Sequence, residues 1–255
     1  MTTEIGRRDL LKGLGVAAAS AVIPHPADAE AQPSKGGGAD SPGGAGAAAT
    51  PENGSHAHNA PEDEAFVYFT APEAAFVRAA VDRLIPADPS GPGAVEAGVV
   101  RYIDRQLAGA FGRGDRMYLA GPWPDTSLPT QGYQLPLTPA ELYRLSIAEI
   151  DKASRKANAE KPFAELDFPQ QEAMLHALER GEFQLETMPG TLFFELLLAN
   201  TIEGYFADPA YGGNRDMGAW RMFGFPGARG DYADLIIPYR NTAFDEEPVS
   251  LSSLQ

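Results

Sequence analysis

The chain contains no cysteine. This excludes disulfides, thiolate zinc sites, iron–sulfur clusters, covalently attached c-type haem and a cysteine nucleophile together. Positive charge is scarce as well: 20 Lys and Arg stand against 35 Asp and Glu, for a net charge of -15. So acidic a surface is repelled by nucleic acid and by anionic lipid, which excludes nucleic-acid binding and leaves a basic partner surface or calcium compatible with the charge. The two longest apolar blocks, Gly13 to Ile23 and Leu192 to Phe206, fall short of the roughly 20 residues needed to span a bilayer. Strand-like alternation is sparse. No serine lies in a G-x-S-x-G elbow, and no Gly-rich phosphate loop follows a strand.

What is present begins at the N-terminus. Arg7 and Arg8 are followed by Asp9-Leu10-Leu11-Lys12 and then by the bland run from Gly13 to Ile23. Pro24 stops the run, and Ala27-Asp28-Ala29 offers the small-x-small pattern read by a signal peptidase. These residues predict a twin-arginine export signal over 1–29, with a general-secretion signal as the competing reading because Asp9-Leu10 match the twin-arginine consensus loosely. Loss of that leader removes Arg7, Arg8 and Lys12 together with Glu4, Asp9 and Asp28, so the net charge does not change. The predicted location is the periplasm.

Residues 30–64 read as a Gly/Ala/Pro linker that has nothing apolar to bury and should stay disordered. Its His56-Ala57-His58 has no third ligand nearby and reads as plain linker. A helical domain is expected over 65–244, with a loose polar tail over 245–255. Thr70-Ala71-Pro72-Glu73 and Thr138-Pro139-Ala140-Glu141 are capping boxes, and Asp167-Phe168-Pro169-Gln170 opens a further helix. A second helix is expected over Val95 to Ala110, a short one over Asp115 to Leu119, and an irregular loop over Pro122 to Pro136. Gly181 is a credible helix C′ residue, and Leu192 to Phe206 reads as a buried core helix. Beyond Phe206 regular patterns cease, apart from a helical turn near Trp220 and an extended segment or short strand at Ile236-Ile237. The fold class is therefore mostly α, a compact helical domain with a long irregular aromatic and Gly-rich loop.

Few residues suggest catalysis. Glu195 and Glu203 lie about 12 Å apart along one helix, beyond either glycosidase carboxylate spacing, and read as caps or partners of arginines. His176 is a lone histidine on a helix. The two Arg-Gly-Asp triplets, Arg113 to Asp115 and Arg229 to Asp231, read as turns. No catalytic, cofactor-binding or metal-ligating residue is assigned. The segment from Glu203 to Gly227 differs, because it gathers Tyr205, Phe206, Tyr211, Trp220, Phe223 and Phe225 with Asn214, Arg215, Asp216 and Arg221. Such residues build interface hot spots, and they equally fill a small local core. Tyr211, Gly212, Gly213, Asn214, Arg215 and Trp220 are the candidate partner contacts.

The chain resembles the gluconate 2-dehydrogenase subunit 3 family, the small subunits of bacterial flavin-dependent sugar and polyol dehydrogenases. The resemblance rests on Leu84-Ile85-Pro86-Ala87-Asp88, Gly91-Pro92-Gly93-Ala94, Ala97-Gly98-Val99 and Tyr102-Ile103-Asp104. Its more specific block runs from Glu203 through Tyr205-Phe206-Ala207-Asp208-Pro209-Ala210-Tyr211-Gly212-Gly213-Asn214 to Trp220 and Gly224-Phe225-Pro226-Gly227. The Gly/Ala-rich linker departs from the pattern. The resemblance implies a large partner that binds FAD and oxidises the sugar or sugar acid, often with a cytochrome c subunit carrying haem c. It implies for this chain no cofactor of its own and a role in maturation and export of the flavoprotein. Two other classes stay open on the residues alone: an independent periplasmic enzyme, and a carbohydrate-binding module that stacks sugars on Trp220 and Tyr211.

Overall fold

The computed structural model describes residues 65–117, 119–123, 134–244 and 246–254. The leader with Arg7 and Arg8, the linker, and most of the Pro122 to Pro136 loop lie outside the described residues. Helices are α1 (Ala71–Leu84), α2 (Val99–Ala108), α3 (Pro139–Ala157), α4 (Phe168–Glu179), α5 (Gly190–Phe206), α6 (Gly218–Phe223) and α7 (Ala233–Ile236). Among the described residues there is no strand, only isolated bridges. No described helix is long and apolar enough to cross a membrane.

The three long capped helices start where their polar signals place them. The Glu73 carboxylate reaches back to the Thr70 backbone N–H at 2.8 Å, and Glu141 does the same for Thr138 at 2.9 Å. At α4 the box is reciprocal: Gln170 N–H donates to Asp167 Oδ1 at 2.9 Å while Asp167 N–H donates to Gln170 Oε1 at 3.2 Å. The bonds from Thr138 hold the Glu141 carboxyl below its ordinary value. Gly181, at φ +68°, ends α4 in the left-handed conformation that glycine tolerates.

Helix α5 is the hub, packed against α1, α2, α3, α4 and α6. Phe193 and Leu197 on its inner face are fully buried with Phe76 of α1, Tyr143 of α3 and Phe163 of the short 3₁₀ turn Phe163–Glu165. Ring centroids lie 4.7 Å apart for Phe76 and Phe163 and 5.5 Å for Tyr143 and Phe193. Each such side chain contributes about 1.5–3 kcal/mol on burial. Polar groups of α5 at this depth are satisfied: Asn200 Nδ2 donates to the Tyr143 hydroxyl at 3.0 Å and Thr201 Oγ1 to the Leu197 carbonyl at 2.7 Å. Burial drives the Tyr143 phenol above its ordinary value, so it stays neutral.

Three expectations need correction. Helix α2 begins at Val99 rather than Val95, because Gly98 adopts φ +80° and residues 94–98 form local turns, with Ala94 N–H donating to the Ile85 carbonyl at 2.8 Å. Asp115 to Met117, the start of the expected short helix, is a turn, since Gly114 and Arg116 both have left-handed φ, 70° and 69°, which a helix cannot contain. Ile236 closes the single-turn helix α7, capped by Asp231 Oδ1 accepting from Ala233 N–H at 3.0 Å, so no strand forms there.

Candidate functional site

The two motif-bearing segments of the sequence, around residues 84–104 and 203–227, meet in space. The Tyr205 hydroxyl donates to the Pro92 carbonyl at 2.8 Å. Arg215 N–H donates to the Ala97 carbonyl at 3.0 Å, and Asn214 N–H to the Gly204 carbonyl at 3.0 Å. Glycine is required at the crossings. A Cβ on Gly213 would stand 2.0 Å from the Gly204 oxygen, and one on Gly204 would stand 2.7 Å from the Tyr102 ring. Both contacts are shorter than real Cβ atoms make, so Gly213 lets the loop lie on α5 and Gly204 lets α5 lie on α2.

Within the loop, Asn214, Asp216 and Met217 have φ of 43°, 55° and 55°. Asparagine and aspartate tolerate this region, whereas Met does so only when held. The hold comes from Asn214, fully buried, whose Oδ1 accepts from Ala219 N–H at 3.0 Å, and from Arg221, whose guanidinium donates to the Asp216 carbonyl. Trp220 is 6% exposed, donates its Nε1–H to the Phe206 carbonyl at 2.9 Å, and meets the Phe225 ring edge-on. Burial of Trp220 leaves it no free face for a sugar.

The C-terminal segment, expected to be loose, is docked on this loop. Asp208 is the latch. Its Oδ1 accepts from Ala210 N–H at 2.9 Å and from Ser250 Oγ at 2.7 Å, and its Oδ2 from Leu251 N–H at 2.8 Å. Gly227 and Val249 form a parallel bridge. Polarity alone could not reveal a tail held by a carboxylate and backbone pairing rather than by apolar contacts.

Of the six candidate contacts, the structure therefore buries Gly213, Asn214 and Trp220, half-buries Gly212 and Arg215, and leaves Tyr211 exposed. Gly212 lies against the Arg105 guanidinium, with φ +97°. The outward side of the same platform carries groups outside those six candidate contacts. Phe223 is 53% exposed and stacks edge-on against Phe206 at 5.4 Å. Glu203 is exposed at its outer edge yet desolvated enough that its carboxyl is raised above the ordinary value. Tyr102 beside it is pushed up to about 12, first by burial and then by the charges of Glu203 and Tyr211.

The remaining titratable candidates disperse. Neither Glu195 nor Glu203 caps a helix or pairs with an arginine among the described residues, contrary to expectation. His176 Nδ1 lies 2.9 Å from Glu179 on the surface of α4. Arg113 pairs with Asp115 at 2.8 Å within an exposed turn. Among the described residues no three His, Asp or Glu side chains gather as metal ligands would. An open cleft of about 670 Å³ lies along α1, walled by Ala71, Ala75, Ala79 and Ala87 with Arg78 and Asp82 among its lining. It brings together no nucleophile with a base.

The segment that leads into α1 is pinned by a buried carboxylate. Asp104, fully buried on α2, accepts from Val67 N–H at 2.8 Å and from Tyr68 and Phe69 N–H at 2.9 Å each. This fixes where the described domain starts. Its sequence signal was only an acidic residue on the apolar face of an amphipathic helix, where a charge needs a partner.

The sequence profile of the gluconate 2-dehydrogenase subunit 3 family matches residues 71–227, a span that contains α1 to α6 and both halves of the packed platform. No curated protein and no solved structure matches the chain. The chain belongs to the gluconate 2-dehydrogenase subunit 3 family.

Proposed function

We propose that this family member is the non-catalytic small subunit of a periplasmic FAD-dependent sugar or sugar-acid dehydrogenase. It binds the flavoprotein subunit, supports its maturation and escorts it through the twin-arginine route by way of Arg7 and Arg8. Substrate oxidation and FAD belong to the partner. A cytochrome c subunit with haem c receives the electrons in complexes that include one.

The observation that carries this reading is the family match over 71–227, which names a subunit of a dehydrogenase. Two features support it. The motif residues with the tightest spacing, Gly204, Gly213 and Asn214, are used to hold one segment of this chain against another. That use suits a rigid scaffold for a partner. The folded-protein export signal also makes physical sense on a chain whose partner must acquire its flavin before crossing the membrane.

Replacing Arg7 and Arg8 together by lysine tests the escort role. The flavoprotein should then remain in the cytoplasm with its dehydrogenase activity. Unchanged export of the flavoprotein would overturn the escort role.

A further inference from the structure

Helix α5 is apolar all the way round: its 17 residues include only two charges, Glu195 and Glu203. A helix of that composition belongs in an interior. Its inner face is there, with Phe193, Leu197, Asn200, Thr201, Gly204 and Tyr205 buried. The opposite face is not. Leu192, Leu196, Ile202 and Phe206 are only half-buried, while Ala199 and Glu203 are exposed. At 100° per residue these six positions form one stripe, with exposed Glu195 inside it between Ile202 and Phe206, and the Phe206–Phe223 ring contact extends it onto the loop platform.

We propose that this outer face of α5 is the docking site of the FAD-bearing subunit. The partner lays an apolar ridge along Leu192, Leu196, Ala199 and Ile202 and sets a lysine or arginine against Glu203. The proposal rests on the accessory-subunit reading and assigns that contact to a surface.

Charge selects the occupant. Glu203 is partly desolvated without any hydrogen bond or ion pair among the described residues, so a partner's cation would satisfy a carboxylate now left alone. A second copy of this chain fits poorly. Antiparallel pairing about a two-fold axis at Ala199 would bring Glu203 against Glu195 of the other copy, in a chain already at net charge -15. Area sets the extent. The stripe from Leu192 to Phe206 is about 21 Å long and about 10 Å wide, or about 200 Å². A stable interface needs about 800 Å² per partner, so the contact must continue over exposed Tyr211 and Phe223.

The test uses the tagged full chain expressed in its own host, with protein-bound FAD recovered alongside it as the probe. Ala199→Arg and Glu203→Lys should each lower the recovered FAD about tenfold, whereas Glu172→Arg, on the exposed side of α4, should leave it unchanged. If the wild-type chain recovers no FAD, the accessory-subunit reading itself fails. If the wild type recovers FAD and Ala199→Arg recovers as much, only the docking face is overturned. A benzophenone amino acid at position 199 leaves the fold intact and should crosslink to the FAD-bearing chain. Crosslinking to a second copy, with a dimer in sedimentation, would overturn the proposal in favour of self-association.

Discussion

The backbone N–H of Asn214 donates to the Gly204 carbonyl at 3.0 Å, and Gly213 lies so near the same oxygen that a Cβ would stand 2.0 Å from it. The loop and α5 thus share one contact that only glycine permits. Gly213→Ala should shift the loop and destabilise the chain by about 2 kcal/mol or more. A thermal melt checks the magnitude. Hydrogen exchange at Asn214, accelerated in the variant, would locate the damage in the loop.

Asp104 should be among the least replaceable residues of the domain. Three backbone N–H groups depend on one buried carboxylate, and Asp104→Ala would leave them with no partner. The expected cost is about 3 kcal/mol, read from urea unfolding at fixed slope. A cost near zero would mean that residues 67–69 are held by something else.

Asp208 and the C-terminal segment act as one latch. Asp208→Ala and deletion of 246–255 each remove the bonds to Ser250 and Leu251. Each should cost about 1–3 kcal/mol. Because both remove the same contact, the combined variant should cost clearly less than the sum. Simple additivity would contradict the latch.

Glu203 gives a pH signature. Burial raises its carboxyl in the folded chain, so the folded state holds that proton more tightly than the unfolded chain does. The associated stability is full below the ordinary carboxylate value of about 4.3 and is lost as pH rises through the folded value. Ionised Glu203 therefore weighs against the isolated fold at neutral pH. Glu203→Gln should raise Tm at about pH 7, and the difference should close at about pH 3.5. A variant that melts lower than wild type at neutral pH would show that Glu203 has a stabilising partner.

Much of this fold is legible from capping chemistry. Thr70, Thr138 and Asp167 each mark a helix start because their side chains and the acid or amide three residues on satisfy N–H groups that the helix cannot. The apolar block ending at Phe206 announces a core helix for the same local reason. What stayed hidden depends on contacts distant in sequence. Gly98 reads as a helix residue until the Gly212 carbonyl is seen against it, 2.9 Å from where its Cβ would be. Trp220 reads equally well as contact or core, and only the Phe206 carbonyl taking its N–H decides for core. The outer side of α5 was the least legible part. A helix apolar on both sides has no periodicity to show which side the chain covers itself.

Isolation of the tagged full chain from the periplasm, with an absorption spectrum of whatever elutes with it, tests the central claim most directly. A large co-eluting chain with flavin bands, and haem bands where a cytochrome is present, is the expected result. A solitary, colourless chain from cells that hold active sugar dehydrogenase in the periplasm would contradict it.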